Sequence, residues 1–180
     1  MISILLSMMT FILIVESNSL SKHDITSKYE CIISSNKYHY EFLYASGPKG
    51  HVFAINYMAI SNMNELKWEL VQYTNTQDKY YIRSKQNGQY LCSDHQQLAF
   101  IRSILNDQDK INRNKMDDRC VWRLERTDSD WQYNSYFIKN IHFDENLFAG
   151  NMKLNKTMRY VFMSDKNQSS DRFKWFIECQ

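Results

Sequence analysis

The side chains able to perform catalysis or bind a metal are few, and their spacing matches no reactive arrangement. The five histidines are scattered, and the chain contains neither an HExxH nor a GxSxG pattern. Asp94 and His95 directly follow Ser93, but a catalytic triad needs groups that converge in space, so we interpret these neighbours as a turn. The sequence predicts a protein that is not an enzyme and has no metal site and no cofactor.

Two groups of residues are candidates for recognition instead. Trp131 and Tyr133 lie in a polar connection, where aromatic side chains often form contact surfaces for glycans or proteins. The alternative is that Trp131 begins a strand and packs on the base of the domain. Lys153, Lys156 and Arg159 place three cations within seven residues, which suits a sulfated glycan or an acidic partner. The alternative for them is a solvated face.

The amino terminus predicts a secreted protein. Residues 2–15 are almost wholly apolar and are followed by small residues, as in a signal peptide that spans 1–19 and is cleaved after Ser17 or Ser19. No Lys or Arg precedes Lys22, so an uncleaved anchor remains an alternative. The mature chain, 20–180, is then expected to be a single domain and a monomer.

The cysteines and two sequons agree with secretion. Four cysteines, an even number behind a signal peptide, predict two disulfides with three possible pairings; they are Cys31, Cys92, Cys120 and Cys179. Asn155 and Asn167 each begin an N-x-S/T sequon and are candidate glycosylation sites. A glycan on Asn155 would crowd the nearby cations. The formal net charge of +2 is too small to indicate nucleic-acid or membrane binding.

The strands that would position these residues can be predicted from an internal repeat in the sequence. Trp68, Trp122 and Trp175 lie 54 and 53 residues apart, each in a segment that alternates apolar and polar residues. That alternation is typical of a strand with one face in the core. Each unit begins with two strands that form a predicted hairpin. A fainter third strand comes next, over 51–58, 97–101 and 159–163, and the tryptophan strand is the fourth. The chain therefore divides into three four-stranded units, at about 28–74, 75–130 and 131–180.

This pattern resembles the β-trefoil superfamily. The resemblance rests on the spaced tryptophan strands and on the hairpins YIRSKQNGQYLCS and FIKNIHFDENLFAG. It implies an all-β fold in which a six-stranded barrel is capped by three hairpins, with approximate threefold symmetry. The alternative is a lipocalin-like β-barrel, for which the regular tryptophan spacing is not expected.

The resemblance also has consequences for the disulfides and the sugar site. It places the first and last strands side by side, which implies a Cys31–Cys179 bridge and leaves Cys92 to pair with Cys120. Ricin-type lectins carry Gln two places before the tryptophan, where this chain has Leu66, Cys120 and Phe173. The sugar site of ricin-type lectins is therefore not expected here.

Because a β-trefoil carries many functions, the resemblance leaves several open. We expect a secreted, non-enzymatic protein that recognises a glycan or an extracellular protein through its loops. One alternative is a protease inhibitor of the Kunitz soybean type, whose inhibitory loop would present Lys49 in the segment Ser46-Gly-Pro-Lys-Gly50. The other is a cytokine-like receptor ligand.

Overall fold

The computed structural model describes residues 28–45, 50–73, 76, 78–94, 99–102, 118–127, 135–165 and 170–180. The predicted signal peptide, Lys49, Trp131, Tyr133 and Asn167 lie outside these residues. Twelve strands occur in the described ranges, four per unit: β1 Lys28–Ser35, β2 Glu41–Ala45, β3 Val52–Asn56, β4 Lys67–Gln72, β5 Lys79–Ser84, β6 Tyr90–Cys92, β7 Phe100–Arg102, β8 Val121–Arg126, β9 Ser135–Asn140, β10 Glu145–Lys153, β11 Met158–Ser164 and β12 Lys174–Cys179.

Six of the strands close a barrel. β1 pairs with β4, β4 with β5, β5 with β8, β8 with β9, β9 with β12, and β12 again with β1, all antiparallel. The other six form the hairpins β2–β3, β6–β7 and β10–β11. These hairpins meet one another, since β3 pairs with β11 and the Ala99 N–H donates to the Val161 carbonyl at 3.0 Å. The fold is therefore the predicted β-trefoil and not the lipocalin-like alternative.

The three tryptophans hold equivalent positions. Each side chain is fully buried in the main core. Each indole Nε1–H donates to a leucine carbonyl in the second strand of its own unit, at 2.8–3.0 Å: Trp68 to Leu43, Trp122 to Leu91 and Trp175 to Leu147. Because a buried indole N–H needs an acceptor, these bonds fix each hairpin against the barrel strand that follows it.

Both implied disulfides are present. Cys31 and Cys179 lie opposite each other in the β1–β12 pairing and are bonded, as are Cys92 and Cys120. Two disulfides fit an extracellular protein, because such bonds persist in oxidising compartments.

Helix in the described ranges is limited to short 3₁₀ turns, such as Tyr57–Ala59 after β3. None of the helices there has the length and apolar character needed to cross a membrane.

Candidate functional site

The described recognition candidates all lie on the β10–β11 hairpin. Lys153, Asn155 and Lys156 are exposed at its tip. Arg159 departs from the expectation of a surface cation, because only 5% of it is exposed. The cause is strand alternation: Arg159 shares the inward face of β11 with Val161 and Met163.

The buried charge of Arg159 is paired across two units. Its Nε donates to Oε2 of Glu41 at 2.8 Å, and its Nη2 donates to Oε1 of the same carboxylate at 3.2 Å. Glu41 begins β2 and is itself buried. A bidentate pair of this kind gives both energy and a fixed orientation. It joins the first unit to the third.

Arg159 also organises the hairpin tip. The β10–β11 pairing has a bulge between Ala149 and Lys153, which frees carbonyl groups from the ladder. Arg159 Nη1 donates to the carbonyls of Gly150 and Asn151, at 2.9 and 3.2 Å. At Gly150 a Cβ would lie 2.5 Å from the Phe162 ring, so any larger residue would force that ring to move. The bulge and the arginine together set the direction of the tip.

Tyr38 packs onto the same arginine. The Arg159 guanidinium carbon lies 3.5 Å from the Tyr38 ring centroid, a cation–π contact. The Tyr38 hydroxyl donates to Asn151 Oδ1 at 2.7 Å. The turn after β1 is thereby held against the β10–β11 tip.

A second link brings two more tyrosines to this region. The Asn56 N–H donates to the Thr157 carbonyl and the Tyr57 N–H to the Tyr40 carbonyl, both at 2.9 Å. The rings of Tyr40 and Tyr57 lie side by side, with centroids 5.6 Å apart. We call the surface formed by residues 37–40, 57–58 and 151–156 the junction surface.

The junction surface collects most of the exposed apolar side chains. Of the seven large ones in the described ranges, five lie on it: Tyr40, Tyr57, Met58, Met152 and Leu154, exposed by 40–77%. Single exposed apolar residues are normal, but a group at one place indicates a contact surface.

The backbone at Tyr40 is strained. In each unit the residue three places before the leucine that accepts the tryptophan bond has a positive φ: 69° at Tyr40, 71° at Gly88 and 59° at Asp144. Glycine and aspartate tolerate this region, but a tyrosine there is an outlier. Such strain is often found at functional sites.

A polar groove of about 490 Å³ forms a second candidate, lined by Glu30, Asn62, Asn64, Glu65, Lys67, Lys85 and Gln86. Three of its charged side chains are already paired with one another. Lys67 and Lys85 both contact Glu30, and hydrogen bonds from these ammonium groups lower the pKa of Glu30 to about 2. A ligand there would have to compete with these internal pairs, and within the described ranges the exposed tip lysines have no such ion pairs.

The ranges that the structure covers contain no candidate metal site, since no group of three or more His, Cys, Asp or Glu side chains converges there.

Four residues of this site were not predicted from the sequence: Tyr38, Tyr40, Tyr57 and Glu41. The alternation of β2 carries a signal for Glu41, because it shares a face with Leu43 and Ala45 and must be buried. A buried carboxylate requires a cationic partner. No local pattern distinguishes the tyrosines, because their contacts join segments that are apart in the sequence: Tyr40 meets Tyr57, and Tyr38 meets Asn151 of the third unit.

Comparison with known proteins supports the fold. No family model matches the sequence, and no curated protein matches it. Among solved structures, a mosquitocidal holotoxin superposes with a TM-score of 0.63 at 16% identity, over 86% of this chain and 17% of that one. SeviL bound to asialo-GM1 saccharide superposes with a TM-score of 0.59 at 13% identity, over 84% of this chain and 98% of that one. The Polyporus squamosus lectin bound to Neu5Aca2-6Galb1-4GlcNAc superposes with a TM-score of 0.62 at 15% identity, over 86% of this chain and 49% of that one.

Proposed function

We propose that this protein is an extracellular, non-enzymatic glycan-binding protein whose ligand lies on the junction surface. The observation that carries the proposal is Tyr40. An exposed tyrosine occupies a positive-φ position for which the other two units use glycine and aspartate. We attribute the retention of this unfavourable residue to the function of its ring.

The neighbourhood of Tyr40 has the chemistry that a sugar needs. The C–H groups on one face of a pyranose pack on exposed aromatic rings. Tyr40 and Tyr57 offer two such rings, tilted by 49° to each other. Asn151 and Asn155 lie exposed on the adjoining tip. Their Oδ1 atoms accept internal hydrogen bonds, so their Nδ2 groups are the atoms expected to donate to sugar hydroxyls. Two of the structural neighbours, SeviL and the Polyporus lectin, were solved with saccharides, which supports this kind of ligand.

The proposal is tested on a glycan array with the oxidised protein, produced without N-glycosylation so that Asn155 is bare. We expect binding that falls at least tenfold in Tyr40→Gly and in Tyr57→Ala. The matched control is Tyr29→Ala, because Tyr29 is 46% exposed but lies on β1, away from the junction surface. It is expected to bind as the wild type does.

Tyr40→Gly separates function from folding. Relief of the positive φ gains about 1 kcal/mol, while loss of the ring pair costs about 0.5–1.5 kcal/mol. Stability in urea unfolding should therefore change by no more than about 1 kcal/mol. Wild-type binding by Tyr40→Gly, or an equal loss in Tyr29→Ala, would contradict the proposal.

A further inference from the structure

The junction surface carries an excess of positive charge with no exposed carboxylate. Lys37, Lys153 and Lys156 are exposed on it. Glu41, the carboxylate next to these segments, is buried and bonded to Arg159. The chain as a whole has a formal charge of only +2, so the three lysines represent a local concentration of charge.

The ammonium groups of the two tip lysines are available. No carboxylate of the described ranges forms an ion pair with Lys153 or Lys156, whereas Lys67 and Lys85 in the polar groove both contact Glu30. Among the described residues, an anion that approaches the tip therefore meets no carboxylate already paired with these lysines. An anion in the polar groove would be repelled by a carboxylate already in place.

The lysines belong to chain segments that adjoin the two exposed tyrosines. Lys37 lies over the Tyr38 ring, with its Nζ 5.4 Å from the centroid, three residues before Tyr40. Lys156 precedes Thr157, whose carbonyl accepts the N–H of the residue before Tyr57. A sugar packed on Tyr40 and Tyr57 would thus lie next to two chain segments that carry exposed lysines.

From this arrangement we infer that the glycan is acidic, and that the lysines of the junction surface bind its sulfate or carboxylate group. The inference rests on the proposed function and adds the class of ligand. Lysine acts here as a mobile point charge with three donors, which suits either anion. The surface therefore selects for charge on the sugar and not for one anionic group.

The test compares matched glycans on an array: a neutral oligosaccharide, the same oligosaccharide with one sulfate ester, and the same with one terminal sialic acid. We expect at least one acidic form to bind fivefold or more tightly than its neutral parent. That advantage should shrink as NaCl rises from 50 to 500 mM, because salt screens exposed charges. The sulfated and sialylated arms identify which anion is preferred.

The triple variant Lys37→Gln, Lys153→Gln, Lys156→Gln should lose the preference, so that its ratio of acidic to neutral binding falls to about one. Lys28→Gln is the control, because Lys28 is exposed at the start of β1, outside the junction surface. Equal binding of neutral and acidic glycans, or an unchanged preference in the triple variant, overturns the inference and leaves the proposed function standing. If no glycan on the array binds the wild-type protein, both the inference and the proposed function are overturned.

Discussion

Arg159 shows how one side chain can define a surface without being exposed on it. It pairs with Glu41, contacts the Tyr38 ring and donates to the two bulge carbonyls of β10. A lysine has one donor group and cannot reproduce this planar set of contacts. We therefore regard Arg159 as a positioning residue that holds the turn of the first unit and the tip of the third in one arrangement.

Arg159→Met should be strongly destabilising. It leaves the Glu41 carboxylate buried without a partner, and breaking a buried pair in this way costs about 3–5 kcal/mol. The control is Lys153→Met, because Lys153 lies opposite Arg159 in the β10–β11 pairing but is exposed, and exposed substitutions change stability by about 0.5 kcal/mol or less. Urea unfolding measures both.

The double variant Glu41→Leu, Arg159→Met tests the cause. Since no charge remains buried, it should recover part of the stability lost in Arg159→Met. Additive losses in the double variant, or equal stability of Arg159→Met and Lys153→Met, would contradict this account.

At the scale of the elements, strand phase was largely predictable from the sequence. The tryptophan strands and hairpins were identified because polar and apolar residues alternate and because the pattern recurs at nearly constant spacing. The third strand of the first unit was predicted over 51–58, whereas the structure has β3 at Val52–Asn56 followed by a 3₁₀ turn. There the Asn56 side chain accepts the Met58 N–H, and such local bonds compete with strand pairing.

The junction surface was not predictable in the same way. It depends on the pairing of β3 with β11, whose partners, such as Ala54 and Arg159, are more than 100 residues apart. Local alternation shows that Arg159 and Glu41 are inward-facing but does not show that they meet. The exposed tip lysines could be identified from the sequence, but the tyrosines beside them could not.

Glu30 ties three elements of the first two units together, and this link should depend on pH. It lies on β1 and contacts Lys67 at the start of β4 and Lys85 after β5. Hydrogen bonds from these lysines lower its pKa from an ordinary value of 4.5 to about 2. A lowered pKa in the folded state adds stability above the ordinary value, and this contribution is lost as the pH falls from 4.5 towards 2.

Glu30→Gln should therefore be less stable than the wild type at pH 7, and the gap should close as the pH is lowered through that interval. Thermal unfolding at a series of pH values measures the gap. Glu178→Gln, which alters an exposed carboxylate of β12, is the control and should keep the wild-type pH dependence. A gap that persists at pH 2 would show that the ion pairs are not its source.

For the whole molecule, the decisive contact is the closure of the barrel. The ring of six strands is complete only where β1 meets β12, the first and last strands of the described chain. The Gln180 N–H donates to the Glu30 carbonyl beside the Cys31–Cys179 bridge. Contacts between such distant segments require a large loss of chain entropy, so a covalent bond at this place stabilises the fold more than one between near neighbours.

The two disulfides should differ in what they contribute. The Cys31–Cys179 bridge spans a separation of 148 residues and Cys92–Cys120 one of 28. In the chain-entropy account these separations correspond to about 5 and about 3.5 kcal/mol. Replacing both Cys31 and Cys179 by Ala should therefore lower the free energy of unfolding in non-reducing urea more than replacing both Cys92 and Cys120, and reduced wild-type protein should be less stable than either variant. Equal losses, or a larger loss from the Cys92–Cys120 pair, would mean that local packing around the bridges, and not closure of the chain, sets their effect.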